Sequence, residues 1–192
     1  YEDWRLPMEE RAADLASRLS VDEIAGLMLY SIQNKLPMPN DTYGGKPFAE
    51  SGMKAYDLSD AQIKFLTDDN LRHVLVSTVE SPETAARWNN KVQALIEGRT
   101  HGIPANPRHS AFADAEFSPG SDGSISLWSN MLGLAATFSP ETVEEFGRIA
   151  REEYRALGLA TALSPQADLG TDPRWYRYSS TFGPEPRLVT DL

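Results

Sequence analysis

Residues 162–177 read A-L-S-P-Q-A-D-L-G-T-D-P-R-W-Y-R, and T-F-G-P-E-P-R-L follows at residues 181–188. The mostly apolar residues 160–163 predict a short strand, which leads the chain into a turn rich in Asp, Arg and Trp. Parallel α/β barrels hold their chemistry in such turns, at the carboxyl ends of the strands. The stretch therefore predicts a parallel α/β fold with a functional site directly after this strand.

The residues before this stretch alternate predicted strands with predicted helices, beginning with a short helix at residues 59–68. One strand is predicted at residues 74–77, and another is predicted to open at residues 102–104. Ser-Pro pairs at residues 81–82 and 139–140 mark helix starts, because Ser caps a helix and Pro suits its first position. This alternation is typical of a parallel sheet with right-handed crossovers. An open sheet and a barrel both satisfy it, and three predicted strands by themselves favour the open sheet.

The N-terminal part is predicted to contain a broken helix. Residues 8–30 have helical periodicity, and Ser20 with Glu23 forms an S-x-x-E capping box that restarts the helix. The buried face of the second part is predicted to consist of Ile24, Leu27 and Met28. Residues 31–54 and 111–130 show no helical or strand period, so both are predicted as long loops.

Composition excludes several classes of function. The 192 residues carry a formal charge of -10, which disfavours nucleic acid because its phosphates would be repelled. No apolar run reaches the roughly 18 residues that a membrane-spanning helix requires. There is no Cys, so disulfides and thiolate metal sites are excluded, and no His pair has the spacing of a helical metal site. No membrane-spanning helix, thiolate metal site or helical His metal site is therefore expected.

The D-P-R-W-Y-R and T-F-G-P-E-P-R segments resemble the D-P-R-W-G-R…F-G-E-D-P signature of glycoside hydrolase family 3, with Tyr176 where the family has Gly and Pro184 where it has Glu. Residues 10–29, H-G-I-P at residues 101–104 and residues 132–159 are also similar to motifs of that family, in the same order. The resemblance covers the chain apart from the two predicted loops. It implies the N-terminal part of a (β/α)8 barrel, about three β/α units, that is incomplete in this chain.

The resemblance also implies an activity. It indicates a retaining exo-β-glycosidase that hydrolyses β-linked oligosaccharides or β-glucosides from the non-reducing end without metal or organic cofactor.

Such an enzyme needs two carboxyl groups. In the family the nucleophile Asp and the acid/base Glu lie downstream of the D-P-R-W loop, so no catalytic residue is expected within this chain. The chain alone is expected to be inactive, and its partner would be the remainder of the same enzyme. The resemblance favours an extracytoplasmic location, periplasmic or secreted.

The sugar-binding residues are carried over from the resemblance by position. Arg177 matches the last Arg of D-P-R-W-G-R. Asn106 and His109 match the D-x-x-H pattern that follows the second strand, with an amide in place of the carboxylate, so that charge-assisted hydrogen bonds are lost. Arg174 and Asp168 also fall on matching positions, where a role in supporting the loop is expected.

Other interpretations remain open at this point. An isolated D-P-R-W motif is most often an Asp–Arg pair that stiffens a loop, with Trp175 in the core. A second alternative is a non-catalytic carbohydrate-binding or interaction module, which would form a monomer or a symmetric homodimer that covers the open edge of the sheet. A nucleotide-binding open sheet is disfavoured because no G-x-G-x-x-G or G-x-x-x-x-G-K-[ST] loop is present.

Overall fold

A computed structural model describes residues 1–33, 40–76, 81–99, 101–109, 125–163 and 166–192. The helices are α1 (Met8–Arg18), α2 (Val21–Leu27), α3 (Phe48–Ser51), α4 (Asp60–Thr67), α5 (Pro82–Glu97), α6 (Met131–Ala135), α7 (Pro140–Ala156) and α8 (Pro186–Asp191). The strands are β1 (Tyr30–Gln33), β2 (Thr42–Tyr43), β3 (Lys46–Pro47), β4 (His73–Val76), β5 (Asn106–His109) and β6 (Thr161–Ala162). A 3₁₀ turn covers Tyr178–Ser180.

Four parallel strands form the central sheet in the order β1-β4-β5-β6. Along the chain, helices separate each of these four strands from the next, so the predicted α/β fold with parallel strands is confirmed. The strand that was predicted to open at residues 102–104 begins later, at Asn106. The sheet also has one strand more than predicted, because residues 30–33 pair with β4 from Tyr30↔His73 to Gln33↔Val76.

The predicted loop 31–54 is therefore partly wrong. Its first residues belong to β1, and residues 42–51 form a β2–β3 hairpin followed by the short helix α3. The hairpin turn uses Gly44 and Gly45 at positive φ, 61° and 76°, where a side chain would be strained. Both glycine amides donate hydrogen bonds of 2.8 Å to the carboxylate of Asp60, so the first residue of α4 fixes the turn. Residues 34–39 lie outside the described part, as do residues 111–124 of the other predicted loop.

The main core lies between the sheet and α5. Ser81 caps this helix by accepting a hydrogen bond from the Thr84 amide, as the Ser-Pro pair predicted. Three large apolar residues of α5 and two of β4 have at most 1% of their surface exposed: Trp88, Val92, Ile96, Val74 and Val76. Full burial of an aliphatic side chain of this size contributes about 1.5–3 kcal/mol. This apolar stripe is thus the face that anchors α5 to the sheet.

A second apolar cluster joins α6, α7 and the segment after β6. Its buried members are Met131, Leu134, Ala135, Val143, Phe146 and Phe182. Trp128 packs edge-on against Phe146, with ring centroids 5.6 Å apart. Because Phe182 comes from the segment that follows the D-P-R-W motif, this cluster ties that segment to the body of the domain.

The apolar face predicted for α2 is wrong, although its capping box is confirmed. The Ser20 side chain accepts from the Glu23 amide, and the Glu23 carboxylate accepts from the Ser20 amide. Met28 is nevertheless 79% exposed. The helix buries its Gly26 side instead, where an added Cβ would lie 2.2 Å from the carbonyl oxygen of Asp69. Close backbone packing therefore selects the contact face, which hydrophobic periodicity did not identify. Among the described helices, none has the length and apolar character of a membrane span.

Candidate functional site

The carboxyl ends of the four parallel strands define one edge of the sheet. These ends are Gln33, Val76, His109 and Ala162. In parallel α/β folds this is the edge at which side chains from successive connections meet. The segment of residues 166–185, which carries the D-P-R-W motif, follows β6 and so departs from this edge.

The base of this segment is closed by backbone contacts. Gln166 and Thr181 form a parallel bridge, and the Gly170 amide donates a 3.0 Å hydrogen bond to the carbonyl of Gly183. Thr181 is fully buried at the closure. An added Cβ on Gly170 would lie 2.7 Å from the Thr181 hydroxyl oxygen and 2.9 Å from two ring carbons of Tyr178. The segment therefore leaves the sheet as a loop whose base has no spare room.

Asp172 and Arg174 form a closed pair at the turn. The Asp172 carboxylate accepts hydrogen bonds from the Arg174 backbone amide at 2.9 Å, from Nε at 3.0 Å and from Nη2 at 2.6 Å. These contacts hold the pKa of Asp172 below its usual range and raise the pKa of Arg174. The carbonyl of Asp172 accepts from the Trp175 amide, which continues the turn. Arg174 is thus occupied in bracing the loop.

Arg177 has a different environment, although it lies only three residues later. Its Nε donates to the phenol oxygen of Tyr176 at 2.5 Å, and its Cζ lies 5.2 Å from the centroid of the Tyr176 ring. Within the described part of the chain, no residue accepts a hydrogen bond from its Nη1 or Nη2. Its side chain is exposed. A guanidinium offers five N–H donors in a rigid fork, so the two terminal nitrogens of Arg177 present four of them to a ligand.

Asp168 is exposed near the start of the loop. Its carboxylate lies 3.5 Å from Nε2 of Gln166, a long contact for a hydrogen bond. The amide oxygen of Gln166 is buried and, among the residues that the structure describes, has no hydrogen-bond partner. Sequence reasoning did not single out Gln166. The signal that could have identified it is its position, because Gln166 is a polar residue four positions after the end of β6.

Asn106 and His109 occupy opposite ends of β5. Asn106 pairs in register with His73 at the amino end, and its Oδ1 accepts from the Thr161 hydroxyl at 2.8 Å. His109 is the last residue of the strand and pairs with Ala162. At about 3.3 Å per residue, Asn106 lies about 10 Å back from the carboxyl edge. The backbone thus brings His109, but not Asn106, to the edge from which the Asp-Arg loop departs. The side chain of His109 is not among those described.

An apolar groove lies beside β6 and along α7. It has a volume of about 680 Å³, and its lining includes Phe146, Ala150, Tyr154, Leu159 and Ala162. β6 is the last strand in the sheet order, so its outer edge has no strand partner among the described residues. In the same described ranges, no group of three or more His, Cys, Asp or Glu is arranged to hold a metal ion.

Similarity to known proteins covers the entire chain. The chain is 42% identical to a periplasmic beta-glucosidase/beta-xylosidase of Dickeya chrysanthemi and 33% identical to beta-glucosidase C of Emericella nidulans. Both matches include 100% of this chain but only 28% and 29% of the relatives, respectively. The chain therefore spans less than a third of the length of these relatives.

The fold is also similar to solved structures. Two structures of a beta-glucosidase from Listeria innocua, one in complex with isofagomine and one of a mutant in complex with laminaribiose, match with TM-scores of 0.63 and 0.65. The identities are 22% and 21%, and the matches cover 97% of this chain and 22% and 23% of those chains. Residues 43–192 match the Glycosyl hydrolase family 3 N terminal domain. Because this match extends over most of the chain, the protein belongs to glycoside hydrolase family 3 and represents part of its N-terminal domain.

Proposed function

We propose that this chain supplies part of the sugar-binding pocket of a retaining exo-β-glycosidase that hydrolyses terminal non-reducing β-linked sugars. The proposal rests on Arg177, because its Nη1 and Nη2 are available to a ligand and its loop is fixed at the carboxyl edge of the sheet. Sugar hydroxyls accept hydrogen bonds, and the planar fork of Arg can donate two of them in parallel. Names and bound sugars of the relatives agree with this substrate class.

The five sugar-site residues predicted from the sequence receive different roles in this proposal. Arg177 binds the sugar directly, and His109 is assigned to the pocket because the backbone of β5 ends there, at the carboxyl edge. Arg174 braces the loop through Asp172, and Asp168 supports its start. Asn106 is bonded to Thr161, so it holds β6 against β5 and acts on the pocket indirectly.

The catalytic carboxyl groups belong to the remainder of the polypeptide in this proposal. A retaining enzyme places its nucleophile and its acid/base about 5–5.5 Å apart, and neither role is assigned to a residue of this chain. The open edge of β6 and the apolar groove beside it support this division, since unpaired strand edges and apolar faces require a covering element. We expect the following β/α units of the same polypeptide to cover them.

The test uses the full-length polypeptide with aryl β-glucosides and aryl β-xylosides as substrates. NMR of the first product formed should show the β-anomer, and Arg177→Ala should lower kcat/KM about 10-fold to 150-fold, because a hydrogen bond to a charged group contributes about 1.5–3 kcal/mol. Arg187→Ala is the matched control, since Arg187 is an 88% exposed arginine on α8. An α-anomer would refute retention. Sugar binding without turnover would instead favour a non-catalytic carbohydrate-binding module.

A further inference from the structure

Tyr176 is a large aromatic residue at an exposed position of the candidate site. The residue is 78% exposed, so it does not fill the core of the described part of the chain. Its hydroxyl oxygen accepts the Nε–H of Arg177 at 2.5 Å, and the guanidinium carbon lies 5.2 Å from the ring centroid. The same aromatic side chain therefore contacts Arg177 both through the hydroxyl and through the ring.

These contacts restrict a side chain that would otherwise move freely. An exposed Arg has about 2 kcal/mol of rotamer entropy to lose when a ligand orders it. Among the described residues, Tyr176 is the one that bonds the Arg177 side chain. The phenol oxygen uses only Nε–H, which leaves the N–H groups of Nη1 and Nη2 for a ligand. Ordering of Arg177 before binding reduces the entropy lost on binding.

We propose that Tyr176 is a positioning residue, which holds the Arg177 guanidinium in one orientation for the hydroxyl groups of the sugar. This inference rests on the proposed function, because it takes Arg177 as a sugar ligand. The hydroxyl of Tyr176 fixes the guanidinium through Nε, and the ring limits its movement by a cation–π contact. Arg177 and Tyr176 thus act as a unit.

The first test is a double-mutant cycle in the full-length polypeptide with an aryl β-glycoside as substrate. Tyr176→Phe keeps the ring but removes the hydroxyl. We expect this variant to raise KM about threefold to tenfold while kcat stays within about twofold of the wild-type value. This pattern is expected when a binding interaction is lost equally in the ground state and the transition state. In an Arg177→Ala background the same substitution should have no further effect. Tyr30→Phe is the matched control, at a 61% exposed tyrosine at the amino end of β1.

The outcomes separate this proposal from the proposed function. If the wild-type polypeptide hydrolyses no β-glycoside and binds no sugar, the proposed function fails. If Arg177→Ala impairs the enzyme while Tyr176→Phe leaves KM unchanged, only the positioning role is overturned. An equal effect of Tyr176→Phe with and without Arg177 also overturns it, because Tyr176 would then contact the sugar directly.

A second measurement does not depend on activity. The Nε–H resonance of Arg177 should exchange with water more slowly in the wild-type protein than in Tyr176→Phe, because the phenol oxygen holds this proton in the free protein. Equal exchange rates in the two proteins would overturn the positioning role. Tyr30→Phe should leave the exchange rate at its wild-type value.

Discussion

Gly170→Ala tests whether the base of the D-P-R-W loop is as tightly packed as the structure indicates. The new Cβ would lie 2.7 Å from the Thr181 hydroxyl oxygen and 2.9 Å from two ring carbons of Tyr178. The preferred separation of carbon atoms is about 3.5–4.0 Å, so the methyl group is about 0.6 Å too close to the ring. Thr181 is fully buried and has little space into which to move. Overpacking of this kind costs about 1–3 kcal/mol.

Gly98→Ala is the matched control for this prediction. Gly98 follows α5 at φ -75°, and the nearest atom to an added Cβ is a backbone oxygen at 3.9 Å. Both substitutions reduce the entropy of the unfolded chain by a similar amount, so this contribution cancels when the two variants are compared. The difference between them therefore reports the steric contact at Gly170.

Hydrogen exchange measured by mass spectrometry on the full-length polypeptide is the assay. A loss of about 1–3 kcal/mol in the free energy of local opening should accelerate exchange in residues 166–183 about 5-fold to 150-fold in Gly170→Ala, with no change in Gly98→Ala. The bond from the Gly170 amide to the Gly183 carbonyl should be among the first to open. Exchange rates that agree within about twofold between the two variants would refute the close packing.

Three further predictions concern stability and the loop. Trp88→Ala should lower the free energy of unfolding of the domain by about 3–5 kcal/mol in urea titrations, because the ring is fully buried. A loss below about 1 kcal/mol would contradict the role of Trp88 in the core. Hydrogen bonds from the hairpin amide of Gly45, then from the Thr42 hydroxyl and the amide of Gly44, hold the pKa of Asp60 below its usual range. Because the pKa of Asp60 is lower in the folded state than in the unfolded state, its contribution to stability is present above the unfolded-state pKa and is lost as the pH falls through the folded-state pKa. Protection of the hairpin amides from hydrogen exchange should therefore decrease below about pH 4 in the wild type. Asp60→Asn should show no such decrease. Asp172→Ala should leave stability nearly unchanged, since the pair with Arg174 is exposed, yet should increase exchange at residues 172–175. Unchanged exchange there would show that Arg174 does not brace the loop.

Local chemistry was sufficient to predict most of the helices. The predicted helix at residues 59–68 is α4 (Asp60–Thr67), and the Ser-Pro pairs at residues 81–82 and 139–140 begin α5 and α7. Each of these helices is capped by a serine that accepts a hydrogen bond from a backbone amide three residues later. Capping requires only contacts within one turn, so the sequence alone contains the necessary information.

The strands and the contact faces depended on distant residues. Y-S-I-Q at residues 30–33 has no pattern that identifies a strand, and only pairing with β4, more than forty positions later, makes it one. Similarly, the position of Asn106 at the start of β5 follows from the register with β4. Register is a property of two segments together, so a reading of either segment alone could not provide it.

The sequence by itself determined the family resemblance, the alternation of strands and helices and the presence of two arginines in one loop. Only the tertiary structure decided which arginine is occupied: Arg174 is bonded through Nε and Nη2 to Asp172, whereas Arg177 keeps both terminal nitrogens available. It also decided that α2 packs through Gly26 while Met28 remains exposed. The physical reason is that caps and periodicity arise from neighbours within about four residues. By contrast, burial and the choice of hydrogen-bond partner are fixed by the three-dimensional arrangement of the chain.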